Sequence, residues 1–558
     1  MESVCASVGA CGEPPAAGSF SQLGLGPYLC GQGGASHAML TISKSPDVLG
    51  DYAVAGFDVR LAAGCIGSVV LHLNPLGAPT DRDLQVFTGL QKALGEEIHC
   101  EFGDWSFAGW LQEMTLNART DSLRLTLSDG LFRLAETCRS RVFAGTRLGE
   151  VISGIMPAGQ KCEVPSGFER HEVGLAIQYQ ESDLDFLRRL VHRYAGGIWC
   201  VGDTIHAGCV EVKDPEELHL DHDVTHFTLT SSVGPERIEA KTVSYKNGLA
   251  KDSTVELPGQ KYGNVQDAVV GKRGKPLSDS SLHIIAEDTD DAASEFGGLK
   301  FLKSQAAGRL SVSGRLTKPI HAGTPVRIVD PEGNGESLVV TFLSGVWRCD
   351  APSDFVFEAS APDALVLGSS MPVLGLRTSA AEVKETRDNM NRVRVSFPWD
   401  SNKSITPWLR MVSPSWGKDH MHYIPPEVGD TVLVVWGQDD LDAIVLGSLA
   451  QAHMSDEASD PFVLRLSDGR VITFGKNDIR IVNEAEEGNS RVELLPKKIV
   501  IRSDRVEIES KELQVNSGQV QLESDETGVT SGKFGLKSDK TEVDSSGVEV
   551  KTPKFDVK

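Results

Sequence analysis

From Val492 to the last residue the chain repeats a seven-residue unit, apolar-x-apolar-x-Ser-x-x, ten times over. The first apolar position reads Val492, Ile499, Val506, Leu513, Val520, Thr527, Phe534, Thr541, Val548 and Phe555. The second reads Leu494, Ile501, Ile508, Val515, Leu522, Val529, Leu536, Val543, Val550 and Val557. The fifth position is Ser503, Ser510, Ser517, Ser524, Ser531, Ser538 and Ser545, then Thr552. A coiled coil also has a period of seven, but its apolar positions stand three and four apart, whereas these stand two apart. On a helix, residues i and i+2 point to nearly opposite sides; on a strand they share a face. The repeat therefore predicts short strands, each followed by a Ser-bearing corner.

A strand with two inward side chains cannot bury them alone, so ten such strands must stack. At roughly 4.8 Å per stacked strand they make a column on the order of 48 Å long. A single chain could coil into a narrow solenoid, or three chains could wind around one axis as a triangular prism. Two inward residues per strand is a small cross-section, which favours three chains meeting over a dry core. Apart from Thr527 and Thr541, the apolar pairs are the expected trimer core. The outward positions are Lys, Glu, Asp, Arg, Gln and Gly in mixed order, a solvated surface without a ligand groove. The use expected of such a stiff shaft is mechanical.

The 558 residues suffice for three or four domains. A formal net charge of -23 argues against nucleic acid or an anionic membrane surface as a partner, since both reward Lys/Arg clusters. No apolar run approaches the ~20 residues of a bilayer span, and Met1 to Ser19 lacks the cationic start and apolar centre of a secretory signal. The protein is expected to be made and kept in the cytosol unless another machine moves it. All ten cysteines lie before residue 350, irregularly spaced and without a CxxC pair. That is the usage of a reducing compartment, where cysteine acts as a small buried hydrophobe.

Residues 1–38, rich in Gly, Ala, Ser and Pro, read as an extension. A domain of mostly short strands with a few helices is expected over 39–375. Within it Leu123, Leu125 and Leu127 alternate as a strand, and Leu131 and Leu134 begin another segment. Ser182-Asp183, then Phe186, Leu187, Leu190, Val191 and Tyr194, then Gly196-Gly197, predict a capped amphipathic helix with its stop. Gly314, Gly323 and Val326-Arg327-Ile328 mark a return to β pattern. A small barrel fits 380–450, a polar joint follows at His453 to Asp460, and the shaft occupies 461–558.

The barrel segment reads Arg392-Val-Arg-Val-Ser-Phe-Pro-Trp-Asp400, Trp408-Leu-Arg-Met-Val-Ser-Pro414, Ile424-Pro425, Val428-Gly-Asp-Thr-Val-Leu-Val434 and Ile444-Val-Leu-Gly-Ser-Leu449. These are five alternating strands with Pro and Gly at the turns, the size of an OB-type barrel. In the order of these motifs the segment resembles the OB-fold of the VgrG family, the trimeric spike of type VI secretion systems, whose relatives form the hub and spike of contractile phage tails. That family's Gly-Asp-Pro-Asp-x-Pro before the exit strand is here Gln438-Asp439-Asp440-Leu441-Asp442-Ala443. A second segment, Gln178-Tyr-Gln-Glu-Ser-Asp-Leu-Asp-Phe-Leu-Arg-Arg-Leu190, resembles the hub helix of the same family. Arg141-Val142-Phe143 sits where the family places a turn before a helix.

Chemistry has few footholds. His219, His222 and His226 with Asp221 and Asp223 could be drawn as a metal site, but Leu220 and Phe227 alternate with them as strand ends do, and a polar turn is the better reading. His420-Met421-His422 with Glu427 falls in a loop before Ile424-Pro425. Glu181 and Asp183 sit at a helix start, where capping and the helix dipole account for them. No GxSxG, HExxH or Walker A sequence is present. Between Leu449 and Pro461 only eleven residues remain, so no lysozyme domain is expected there, and no toxin is expected after the shaft.

The resemblance implies a mainly β chain: a hub of barrel-like domains with a few helices, an OB-fold neck, and a C-terminal trimeric triangular β-helix. It implies a non-enzymatic homotrimer, without cofactor or metal, that caps the hexameric inner tube of a contractile injection machine. It also implies a PAAR-type tip protein on Phe555, Val557 and Lys558, together with effectors and baseplate proteins as partners. Two readings compete: a cell-wall hydrolase riding on a spike, and a trimeric fibre or adhesin stalk. The second leaves the Glu181-Ser182-Asp183 helix and the 425–449 barrel unexplained.

Overall fold

The computed structural model describes residues 40–44, 52–76, 88–89, 91–117, 122–194, 196–220, 222–231, 237–244, 249–256, 281–287, 310–362, 375–386, 388–413, 415–416, 421–422, 425–437, 440, 443–449, 462–465, 470–475, 477–483, 490–524, 526–531, 537–540 and 542. The extension 1–38 and the joint His453 to Asp460 lie outside them. The chain divides into two units, 1–451 and 452–558. It is mainly β, and its helices are short. No helix among the described residues is long and apolar enough to cross a membrane.

The first unit is built on a twelve-stranded sheet. Its main path runs Leu40–Lys44, Glu97–Phe102, Trp105–Asn117, Ser122–Ser128, Ser68–Pro75, Tyr52–Ala62, Gly335–Arg348, Ala351–Ser360, Leu310–Leu316 and Val224–Ser231. Pro325–Val329 pairs with Gly335–Arg348, and Glu216–His219 joins it in parallel. Period-two alternation produces this arrangement: Leu123, Leu125 and Leu127 point into the core while Ser122, Arg124 and Thr126 do not. The core centres on Phe57, whose ring stacks on Trp105 at 5.9 Å and meets Phe355 at 6.1 Å. Cys100 lies in this core, and burial pushes its thiol up to about 12. Gly323, at φ +89, has the Trp199 ring where a Cβ would stand, 2.1 Å from Cδ1, so both backbone and space demand glycine.

A second core gathers the helices α1 (Leu131–Ala135), α2 (Leu148–Ile155), α3 (Ser166–Glu169) and α4 (Asp183–Arg193). The sequence places α4 correctly. Ser182 Oγ accepts from the Asp185 amide at 3.0 Å, a cap contributing about 1 kcal/mol. Leu184, Phe186, Leu187, Leu190 and Val191 are buried, and the Gly196 amide closes the end on Val191 O at 3.0 Å. Arg141-Val142-Phe143 is not a turn. It lies inside the strand Cys138–Arg147, antiparallel to Glu172–Ser182, where Val142 pairs with Ile177 and both are buried.

Asp129 joins the two cores. Its carboxylate accepts from the Gly67 amide at 2.8 Å and the Leu131 amide at 3.0 Å, and burial pushes its pKa up to about 7 despite those bonds and nearby Arg188. Between pH 4 and 7 the unfolded chain ionises Asp129 while the folded chain holds the proton. Its contribution is therefore fully present below about pH 4 and lost as pH rises through 7. In urea titrations at pH 5 and pH 8, Asp129→Asn is expected to lose less stability on going to pH 8 than the natural chain does. Between these two pH values the difference is capped at roughly 3 kcal/mol, and parallel profiles would refute it.

Arg377–Thr386, Val393–Ser396, Arg410–Met411, Thr431–Trp436 and Ile444–Ser448 make a five-stranded barrel; its first strand lies before the segments the alternation picked out, and Ile424-Pro425 is not one of its strands. Val393 and Leu409 close it with reciprocal amide-carbonyl bonds of 3.0 and 2.7 Å. Val383, Val395, Phe397, Val432, Val434, Trp436 and Val445 fill it.

The second unit opens as an antiparallel meander of Phe462–Arg465, Arg470–Phe474, Ile479–Asn483, Ser490–Leu495 and Lys498–Arg502. The first two seven-residue repeats thus fold back on each other as a hairpin. Among the described residues from 503 to 542 no strand ladder forms within the chain.

Candidate functional site: an unpartnered apolar spine

Directly opposed residues on neighbouring strands share a face, as do residues two apart along one strand. In the meander this aligns two apolar rows. One runs Leu464, Ile472, Ile481, Val492, Ile501; the other runs Phe474, Ile479, Leu494, Ile499. The sequence reading found only the last two pairs. Ile472/Phe474 and Ile479/Ile481 are themselves seven apart, but Glu484 to Asn489 interrupts the period before Val492.

The apolar positions continue along the repeat and stay uncovered. Ile499, Ile501, Val506, Ile508, Leu513, Val515, Val520, Leu522 and Val529 are all more than half exposed, from 54% at Val506 to 80% at Leu522. Scattered exposed aliphatics are ordinary; nine at this regular spacing form one continuous apolar patch. Phe534, Leu536, Val543, Val548, Val550, Phe555, Val557 and Lys558 lie outside the described residues.

The serines form a recurring corner. Ser510 Oγ donates to Glu512 O at 3.1 Å, Ser517 to Gln519 O at 2.6 Å, Ser524 to Glu526 O at 2.9 Å and Ser538 to Lys540 O at 2.6 Å. A short side chain that bonds the carbonyl two residues on offers the backbone a local partner where the direction changes. Repetition every seven residues keeps each apolar pair in the same orientation relative to its corner.

A second constellation joins helix to barrel, and here the helix-start reading of the carboxylates needs correction. Ser182 alone caps α4. Asp183 and Glu181 are buried: Asp183 takes Arg141 at 2.5 Å and Gln178 Nε2 at 2.8 Å, and Glu181 takes Arg189 Nη2 at 2.8 Å. Arg189 also donates through Nη1 to Asp440 Oδ2 at 2.7 Å and through Nη2 to Ile177 O at 2.8 Å. Burial would pull the Arg189 pKa down, but the Asp440 and Glu181 carboxylates hold it above its ordinary value. Asp440, in the hexapeptide where the sequence departs from the family pattern, was not singled out. Its partners are too far along the chain for a local signal.

The histidine candidates stay apart from any metal geometry. His219 ends the strand Glu216–His219, and the Asp223 carboxylate takes the His219 amide and His222 Nδ1 at 3.0 Å each, which ties a polar turn. His226 continues into the next strand, and Asp221 lies outside the described residues. His420 lies outside them too, while Met421–His422 pairs with Ser415–Trp416. Among the described residues no three His, Cys, Asp or Glu side chains gather as a metal site.

Residues 80–341 match the family model of the phage tail baseplate hub (GPD), and residues 380–449 match that of the type VI secretion system/phage-baseplate injector OB domain. Among solved structures, the Francisella PdpA-VgrG complex aligns at a TM-score of 0.50 and 9% identity, over 81% of this chain and 76% of that one. An E. coli protein, c3393, described as a type VI secretion component with structural similarity to T4 tail proteins gp27 and gp5, aligns at 0.48 and 11%, over 74% and 99%. A tail protein of Neisseria meningitidis MC58 aligns at 0.41 and 9%, over 59% and 98%. At these identities the structural likeness concerns the fold. The two family models match in this order, a phage-baseplate hub followed by the injector OB domain, and with that pairing the chain is VgrG-like in its hub and OB regions.

Proposed function

We propose that the chain is a non-enzymatic homotrimeric spike and hub. It caps the hexameric inner tube of a contractile injection machine, and its C-terminal shaft punctures the target envelope when the machine fires. The observation that carries this reading is the spine of nine aliphatic side chains left in solvent by a single chain. Each Val, Leu or Ile fully buried contributes roughly 1.5–3 kcal/mol, so three copies meeting along one axis gain a large apolar core. A segment without an internal ladder also gains backbone partners from neighbouring copies. Cyclic symmetry then sets Phe555, Val557 and Lys558 around the axis as the contact for a PAAR-type cap, with effectors and baseplate proteins completing the particle. Assembly takes place in the cytoplasm, and contraction expels the shaft into the target envelope or the extracellular space.

The test is the mass of the purified chain in solution by sedimentation equilibrium or native mass spectrometry. Three times 60.1 kDa is expected; a folded, stable monomer with a wet spine refutes the trimer. A peptidoglycan or glycan turnover assay on the same sample addresses the enzymatic alternative. Turnover abolished by a single carboxylate or histidine change would overturn the structural reading.

A further inference from the structure

We infer that the hub and the small barrel are one rigid body, whose barrel borrows a wall from the hub and is latched to it by Asp440. Three of the side chains that fill the barrel come from the hub ribbon Cys138–Arg147/Glu172–Ser182: Val142, Leu175 and Ile177, all at most 2% exposed. Tyr179 of the same ribbon sets its ring 5.1 Å from Trp399 and 5.6 Å from Trp436. The barrel returns a hydrogen bond, Ser404 Oγ donating to Val142 O at 3.1 Å.

The connection between the strands Thr431–Trp436 and Ile444–Ser448 then drives Asp440 into the hub. Its Oδ2 accepts from the Ile177 amide at 3.0 Å, Arg189 Nη1 at 2.7 Å and Arg193 Nη2 at 3.2 Å. All three donors belong to the hub, and Asp440 is 1% exposed. A buried carboxylate is stable only when paired and hydrogen-bonded. The barrel alone supplies none of these partners, and without the barrel Arg189 keeps Glu181 and the Ile177 carbonyl but loses the Asp440 carboxylate on Nη1. The seam between the two matched domains therefore runs through one hydrophobic core, and force passing from hub to barrel crosses that core and the Asp440 latch rather than the connecting chain at 361–376.

The test keeps the full chain and cuts it after folding. A site-specific protease sequence replaces residues 366–371, the purified protein is cleaved, and the two pieces are followed by size exclusion and by dissociation rate. The natural latch is expected to hold the cleaved pieces together at micromolar concentration. Cleaved Asp440→Ala is expected to release them at least 100-fold faster, with the uncut variant keeping its circular dichroism. Pieces of the natural sequence that part on cutting, or Asp440→Ala pieces that stay as long as natural ones, overturn the inference. If Asp440→Ala does not fold, Asp440→Asn serves with hydrogen exchange at the Ile177 amide in the uncut chain. At least a tenfold loss of protection is expected there, and unchanged protection counts against the latch. Because both readouts are taken relative to the uncut chain, a monomeric mass would overturn the trimer without touching this inference.

Discussion

Ile508→Asp is expected to turn the trimer into dissociated chains at micromolar concentration. Ile508 is 69% exposed in the single chain and belongs to the spine, so in the proposed trimer any burial of it would come from assembly. In the proposed trimer a threefold axis would bring three copies of position 508 to one level. The substitution places three carboxylates there, with no cation at any spine position. Desolvating an unpaired carboxylate costs several kcal/mol, and mutual repulsion within a dry core adds to it. The folded first unit is untouched, because the loss falls on association. Glu509→Ala is the control, since position 509 points outward and the repeat tolerates any polar or small residue there. Sedimentation of both variants beside the natural chain decides the matter. A trimer that survives Ile508→Asp with unchanged stability would mean that the spine is not the contact.

What was legible in the sequence was local. Period two and period 3.6 reveal Leu123 to Leu127 and the α4 face because each side chain's burial follows from its near neighbours on the same element. The heptad of apolar pairs was equally clear, since one unit is copied many times. Two things stayed hidden for different reasons. The meander's earlier pairs, Ile472/Phe474 and Ile479/Ile481, follow the same spacing, but a loop insertion breaks the count and antiparallel pairing reverses the order of each pair. The ion cluster is hidden by distance: Arg189 and Asp440 stand 251 residues apart, and nothing near either one signals the other. Glu181 and Asp183 illustrate the trap. A carboxylate beside a helix start is usually there for the helix, yet the folded ribbon and α4 turn these two into buried partners of Arg189 and Arg141.

Arg189→Ala is expected to destabilise the first unit by about 3–5 kcal/mol, the usual cost of breaking a buried ion pair from one side. The guanidinium is 4% exposed and serves three acceptors at once: Asp440, Glu181 and the Ile177 carbonyl. Without it Asp440 keeps the Ile177 amide and Arg193, whereas Glu181 keeps only Arg377 at 3.5 Å. Glu181 therefore bears most of the loss, and its neutralisation should recover part of it. Urea denaturation of Arg189→Ala, Glu181→Gln and the double variant makes a cycle in which the pair's coupling is read directly. A positive coupling of at least about 1 kcal/mol is expected, because the double variant no longer buries an uncompensated Glu181 charge. Additive losses, or a loss below about 1 kcal/mol for Arg189→Ala alone, would mean that water reaches the cluster and that the joint is held by its apolar core.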